Sequence, residues 1–514
     1  MPHSKKLFRV GFVPRLSATM LVLLLSLGLA QKADAQPSPQ GWPGHARNAQ
    51  HTGLSSVGLQ PLNKIHWRTR VDLHPPIGTI FIHYGSPLVT RGGTVIVPIK
   101  TGPNTFRVDA YSEKTGALKW RESTRYAAPF ASFIPGLGPV LSQNRLYLPA
   151  EGGTVLVREN PDQPTGRVSR LVFYGAQNFN ADPKLYGSAV QINTPITADS
   201  NGNIYFGFVV QGPTPIGLQS GLARISATGK GSFVTAGFAA NDFGISKVDM
   251  SCAPALSLDG QILYVGVNSF DFGFGYLLAL DSRTLQTITS VRLTDPSSGL
   301  DADIPDASSA TPTVGPDGDV YFGVLENPFP SHNDRGWLLH FNRDLTQQKT
   351  PGSFGWDDTP SIVPATAVPS YHGSSTYLLM TKYNNYVGIN TGDGLNKIAI
   401  LDPNASEADP IFPAVSVMNE VLTIKGVTPD PNFPTFAGAV REWCINAAAV
   451  DPISKSVLAN SEDGKLYRWD LTNNSFSQII TLSGGIGEAY TPTVIGSDGT
   501  AFAINDAVLF AIGR

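Results

Sequence analysis

One short apolar strand pattern recurs eight times along the chain, at residues 93–100, 145–150, 203–209, 261–267, 319–324, 375–381, 455–460 and 500–505. Such a repeat restricts the fold more than composition does, because each unit has to bury its apolar face against its neighbours. The aligned positions 95, 146, 204, 262, 320, 376, 456 and 501 are separated by 51, 58, 58, 58, 56, 80 and 45 residues. Each copy follows a shorter strand, in several cases through a tight turn such as Asp259-Gly260, Asp317-Gly318 or Asp498-Gly499. Asp-Gly between two apolar runs signals a hairpin, since glycine accepts a positive φ. An alternating third strand comes next, as at 276–282, 337–342 and 465–470, and often a fourth, as at 287–292. The unit reads as a four-stranded antiparallel meander. Eight of them predict an all-β chain folded as a single eight-bladed β-propeller.

The last copy has no outer strand of its own, because its third strand runs to Gly513 and is followed only by Arg514. Residues 63–71, ahead of the first full blade, offer the missing one. Pairing of the N- and C-terminal strands is predicted to close the ring and remove two exposed edges. The widest gap holds Pro403, Pro410, Pro413, Pro429, Pro431 and Pro434. Prolines are excluded from central strands, so residues 403–440 are predicted to be an insertion in the sixth blade, with Val415 to Ile424 still able to give its outer strand.

The run from Asp109-Ala110-Tyr111 through Lys114-Thr115-Gly116 to Trp120 resembles the repeat of quinoprotein-type (PQQ-like) β-propellers. So do the lead-in from Trp42 to Thr52-Gly53 and the pattern Ser86-Pro87-Leu88-Val89, echoed at Ala253-Pro254, Thr311-Pro312 and Thr491-Pro492. The resemblance covers most of residues 40–514 and implies eight blades and a location outside the cytoplasm. It implies no single function, because such propellers include dehydrogenases and assembly scaffolds. The dehydrogenases typically carry a vicinal cysteine pair over PQQ and a calcium held by carboxylates. The cysteines here, Cys252 and Cys444, are far apart in sequence. The resemblance therefore points to a non-dehydrogenase member, with neither PQQ nor calcium supported by a motif.

Residues 1–35 read as a cleaved signal peptide: Lys5, Lys6, Arg9 and Arg15, an apolar run from Leu16 to Ala30, then Ala33-Asp34-Ala35. The apolar run is shorter than the roughly 20 residues of a membrane span. The mature chain is expected to be secreted or periplasmic, with no transmembrane segment. Removing residues 1–35 leaves 32 Lys and Arg against 39 Asp and Glu, a net charge near −7. Such a surface argues against a nucleic-acid partner. A monomer is expected, binding a small molecule, a glycan or a protein.

In a propeller the first strand of each blade lines the central channel, and the segments leading into those strands converge at one mouth. That placement gathers His83, Tyr84, Lys247, Asp249 and Asp306. It also gathers Asp357, Asp358, Arg441, Glu442, Glu488 and Tyr490. In a chain with 15% charged residues this is a local enrichment, suited to a polar ligand on the axis. Tyr383-Asn384-Asn385-Tyr386 reads as a carbohydrate-contact segment. No Gly-x-Ser-x-Gly elbow or His-Glu-x-x-His occurs. The leading reading is a binding or scaffold propeller with its ligand at the mouth. The alternatives are a PQQ- or metal-dependent oxidoreductase and a lyase or hydrolase acting on polysaccharide or lactone. Cys252 and Cys444 both precede a first strand, so an exported chain leaves two outcomes open: a disulfide across the mouth or two unbridged thiols.

Overall fold

The computed structural model describes residues 41–78, 82–129, 137–485 and 493–514. The expected signal peptide, Glu488 and Tyr490 lie outside the described residues. Eight small antiparallel sheets stand in a ring, each a simple meander. Blade one runs Leu88–Val89, Thr94–Lys100, Thr105–Ser112 and Leu118–Ala127, and blade seven runs Ala449–Asp451, Ser456–Asn460, Lys465–Asp470 and Ser475–Thr481. In blade five the fourth strand is reduced to the bridges Phe341–Gln348 and Leu338–Gly352.

Burial within a blade explains the sequence pattern. A second strand such as Ile262–Asn268 is buried at every position, because both its faces pack on neighbouring blades. An outer strand such as Ser475–Thr481 alternates exposed with half-buried residues, because one face meets water. First strands are short innermost edges, where the missing N–H of Pro87, Pro254 and Pro312 does no harm. In blade four the first strand is broken into Lys247–Val248 and Ala255–Leu256, and Asp249 and Cys252 sit in the break.

Lys64–Arg70 completes blade eight by pairing antiparallel with Val508–Gly513, Lys64 opposite Gly513 and Arg70 opposite Val508. The ring is thus closed by the two ends of the chain, as the incomplete last copy predicts. Trp67 carries the closure into blade one: its indole N–H donates to the Glu113 carbonyl at 2.8 Å. The ring lies over Gly116, where a Cβ would stand 2.6 Å from the indole. The turn Glu113-Lys114-Thr115-Gly116 is therefore shaped to receive this side chain.

The predicted insertion at 403–440 is smaller than its proline content suggests. Lys397–Ala408 pairs with Ser416–Lys425, so much of the segment is the blade's own outer hairpin. Pro403 sits where the register shifts between Asp402 and Ser406, a bulge that needs no proline N–H. The excursion proper is confined to 426–440 and is pinned by a Pro429–Val440 bridge. Two short helices, Ala176–Ala181 and Pro183–Ala189, link blades two and three and have no counterpart in the repeat pattern.

The lead-in from Trp42 to Gly53 lies across the turn-side end of the channel. Trp42 exchanges backbone hydrogen bonds with Val89 of blade one at 2.8 and 2.9 Å. The carbonyls of Pro43, Ala49, Gln50, Thr52 and Gly53 then accept the N–H groups of Leu141, Leu256, Val314, Ile362 and Val450, at 2.7–2.9 Å. Those donors belong to blades two, four, five, six and seven. Innermost strands have no further strand to pair with, so a single segment of irregular chain satisfies the free edge of six blades. Gly53 has φ +61°, and a Cβ there would stand 2.5 Å from the Ala448 carbonyl. Only glycine fits this passage between blades six and seven.

Candidate functional site

The opposite mouth is built by the segments leading into the first strands. Asp357 lies just ahead of Ser361–Pro364 in blade six, with a left-handed φ of 49°. Ser309, ahead of blade five, holds its Oδ1 from the backbone N–H at 2.8 Å and the hydroxyl at 2.5 Å. Lys382, near the end of Tyr377–Tyr383, brings Nζ to 3.6 Å from Asp357 Oδ2. His83, ahead of blade one, brings Nε2 to 3.8 Å from the same oxygen. Blades one and six are not neighbours, so the contact between His83 and Asp357 spans the channel axis. All three side chains are buried.

Further carboxylates crowd the same cation. Burial pushes Asp358 up to about 7, against the pull of Lys382 and of the Thr381 hydroxyl, which donates to it at 2.5 Å. Burial, reinforced by Glu326, raises Asp334 to about 7, again with Lys382 opposing. Burial, reinforced by Glu462, raises Glu442 to about 8, and Lys382 opposes there too. His83 is driven down to about 4, by burial first, and is neutral at pH 7. Among the described residues, Lys382 thus faces an array with more acid than base, drawn from blades five, six and seven.

This array makes folding pH-dependent with a definite sign. In the unfolded chain these carboxyls ionise near pH ~4, whereas in the native state they hold protons up to about 7 or 8. Their stabilising contribution is therefore complete in acid and is lost as the pH rises through the native values. The buried histidines oppose this only below their unfolded pKa of ~6.5, because burial lowers His45 to about 3 and His51 and His83 to about 4. Between pH ~6.5 and about 8 the carboxyl groups dominate, so the melting temperature is expected to fall across that interval. Calorimetry at low salt checks this; a rise would mean the carboxyls are already ionised in the native state at neutral pH.

The other expected residues form separate groups. Lys247 donates to Asn268 and Asp306, both at 2.7 Å, where blades four and five meet. Asn268 also reaches Asp249 at 3.3 Å, and burial keeps Asp249 well above the usual carboxylate range. Arg441 pairs with Asp430 at 3.1 Å and Glu462 at 3.2 Å. Tyr84 is not placed with the axial array by its hydroxyl, which donates to Asp72 at 3.1 Å beside Lys100. The amides expected to meet sugar are taken up by protein: Asn384 bonds the backbone of Trp443 in both directions at 3.1 Å, and Asn385 bonds Asn333 and Asp393. Of the two outcomes left open for the cysteines, the structure has them unbridged. Cys252 turns into its own blade, where its sulfur accepts the Gly266 N–H at 3.3 Å, and three blades' spacing keeps Cys444 apart.

Lys382 and Asp334 are site residues outside the set that the phasing of the repeat gathers at the mouth. The visible signal for Lys382 was a lone cation ending the apolar run Tyr377-Leu378-Leu379-Met380-Thr381.

PQQ, which the fold suggests, is a tricarboxylate, and it does not fit this mouth. The array would set further negative charge against Asp334, Asp357, Asp358 and Glu442, with Lys382 among them and Arg441 already paired. Among the described residues no group of three or more His, Cys, Asp or Glu is disposed to hold a metal ion.

No protein-family model and no curated protein matches the sequence. Solved structures do match it. A europium-containing methanol dehydrogenase superposes with a TM-score of 0.54 at 12% identity, over 91% of this chain and 89% of that one. A quinohemoprotein alcohol dehydrogenase from Comamonas testosteroni gives 0.53 at 13% identity, over 93% and 77%. Sqt1 from Saccharomyces cerevisiae gives 0.50 at 10% identity, over 89% and 99%. At such identities the likeness is one of architecture: this chain is an eight-bladed β-propeller with the fold of the quinoprotein alcohol dehydrogenases.

Proposed function

We propose that the chain is an exported binding propeller whose axial mouth takes a small polar ligand rich in hydrogen-bond donors, a polyol, sugar or amine. The observation that carries this reading is the buried meeting of His83 and Lys382 at Asp357, across the axis. Surrounding carboxyls offer acceptors to hydroxyls, and a protonated amine would relieve their mutual repulsion. The test is a thermal-shift and calorimetric screen with neutral sugars, amino sugars and polyamines. A hit is expected to weaken at least tenfold in Asp358→Asn and to bind more tightly at pH 8 than at pH 5.5. No ligand in the panel, or equal binding by the variant, overturns the reading.

A second reading, a lyase or hydrolase acting on polysaccharide or lactone, is favoured by Asp334 and Asp358 at about 7 and Glu442 at about 8. Carboxyl groups poised near neutral pH suit general acid–base work. Product analysis by mass spectrometry after incubation with a bound glycan separates turnover from binding.

A further inference from the structure

The far end of the ring carries a second concave surface, independent of the mouth. A groove of about 1240 Å³ runs beside the N-terminal segment and is lined by the turns of blades one to four. Its volume exceeds the roughly 300–1,000 Å³ of pockets that hold one small molecule. Five arginines line it: Arg47 on the segment, Arg91 on blade one, Arg145 on blade two, Arg224 on blade three and Arg283 on blade four. The aspartates beside them are engaged elsewhere. Asp162 accepts the Thr90 and Thr94 hydroxyls, Asp199 the N–H groups of Asn201 and Asn203, and Asp259 the Ser257 hydroxyl and Arg343. Among the described residues, no ion pair joins these aspartates to the five arginines; Arg145 has Glu159 at 3.8 Å, both well exposed. The groove is therefore basic on a chain whose formal charge is −3.

Its floor has acceptors to spare. His51 is fully buried, and its Nδ1 lies 2.8 Å from the Pro312 carbonyl, which fixes the proton there and leaves Nε2 as an acceptor. That Nε2, like the Nε2 of His45 packed edge-on 5.4 Å away, is buried with no hydrogen-bond partner. Of the rim amides, Asn48, Gln50 and Gln143 are taken up by Thr52, by the Leu256 and Ser257 carbonyls and by the Ser200 carbonyl, which leaves those of Asn201 and Gln261 to face the groove. Leu258 is the large apolar side chain of this lining that stands exposed, so there is little for the side chains of a peptide to pack against.

We propose that this turn-side groove binds an acidic polysaccharide of the polyuronate class. Guanidinium forks pair with the carboxylates, and the Asn201 and Gln261 amides take hydroxyls. An open, basic groove in which Leu258 is the exposed large apolar side chain suits a flexible polyanion bearing hydroxyls better than an acidic peptide.

The probe is hexagalacturonate, titrated calorimetrically into the full mature chain at low salt, with maltohexaose and hexaglutamate as controls. Binding is expected for hexagalacturonate alone, weakened at least tenfold in Arg91→Ala/Arg283→Ala, two exposed positions that leave the fold intact. It is also expected to weaken as salt rises from 20 to 200 mM. The amino sugars and polyamines screened at the other mouth are expected not to displace hexagalacturonate, so failure here and failure of the mouth reading are separable. No binding of hexagalacturonate, equal binding of maltohexaose or hexaglutamate, or an unaffected double variant overturns the proposal.

Discussion

A chain that begins at residue 75 is expected to lose its cooperative thermal transition or to melt more than ten degrees lower. The truncation removes Lys64–Arg70 and strips Val508–Gly513 of its partner from Gly513 to Val508. It also removes the indole that seats on Gly116 and bonds Glu113. Six blades lose the hydrogen bonds that cap their innermost edges. At about 0.5–1.5 kcal/mol for each net hydrogen bond, with apolar burial at Val71 and Leu62 added, the loss approaches the whole ~5–15 kcal/mol stability of a domain. The exposed strand edge also invites aggregation. Differential scanning calorimetry and solubility of the truncated chain decide; an unchanged melting temperature would show that the ring closes without its N-terminal strand.

Lys382→Met should have the second large effect, and its size should depend on pH. The substitution keeps the buried length of the side chain and removes the cation that opposes the rise of Asp334, Asp358 and Glu442. Removing one partner from a buried charge cluster typically destabilises by about 3–5 kcal/mol. At pH 8 the carboxyls have to ionise against one another, so the full loss is expected. At pH 6 they take up protons and most of the loss disappears. Denaturant unfolding of the variant and the parent at both values measures the difference. An equal loss at pH 6 and pH 8 would mean that Lys382 acts through packing alone. Asp358→Asn in the Lys382→Met background is expected to restore part of the stability at pH 8, because it withdraws one of the repelling charges.

What the sequence discloses follows from where its regularities come from. The blades were legible because period-two strands and Asp-Gly turns such as Asp259-Gly260 repeat, and the closure because the last copy stops one strand short. Residues leading into first strands were legible as a set, since the phasing of the repeat alone brings His83 and Asp357 to one mouth. The path of Trp42 to Gly53 was not, because its partners are backbone N–H groups scattered from Val89 to Val450, which leave no side-chain pattern. Lys382 was hidden for a different reason: it occupies the end of a core strand, where the apolar residues before it dominate the reading. The proline cluster misled, because Pro403 falls in a bulge inside a paired strand. The cysteines could not be decided from the sequence, because sharing a mouth does not fix a radius, and Cys252 takes the Gly266 N–H of its own blade.

The segment crossing the turn side has a consequence for how the molecule comes apart. A repeat array whose units touch only their neighbours frays from its ends, one unit at a time. Here residues 42–53 are bonded to six units at once, so none of those six blades can swing out without releasing a strap that the others share. Partial opening should be rare and hydrogen-exchange protection nearly uniform among the innermost strands of those six blades. The closing strand raises contact order, since residues 64–70 wait for residues 508–513. Folding is then slow and late to commit, and once complete it is locked against piecemeal loss.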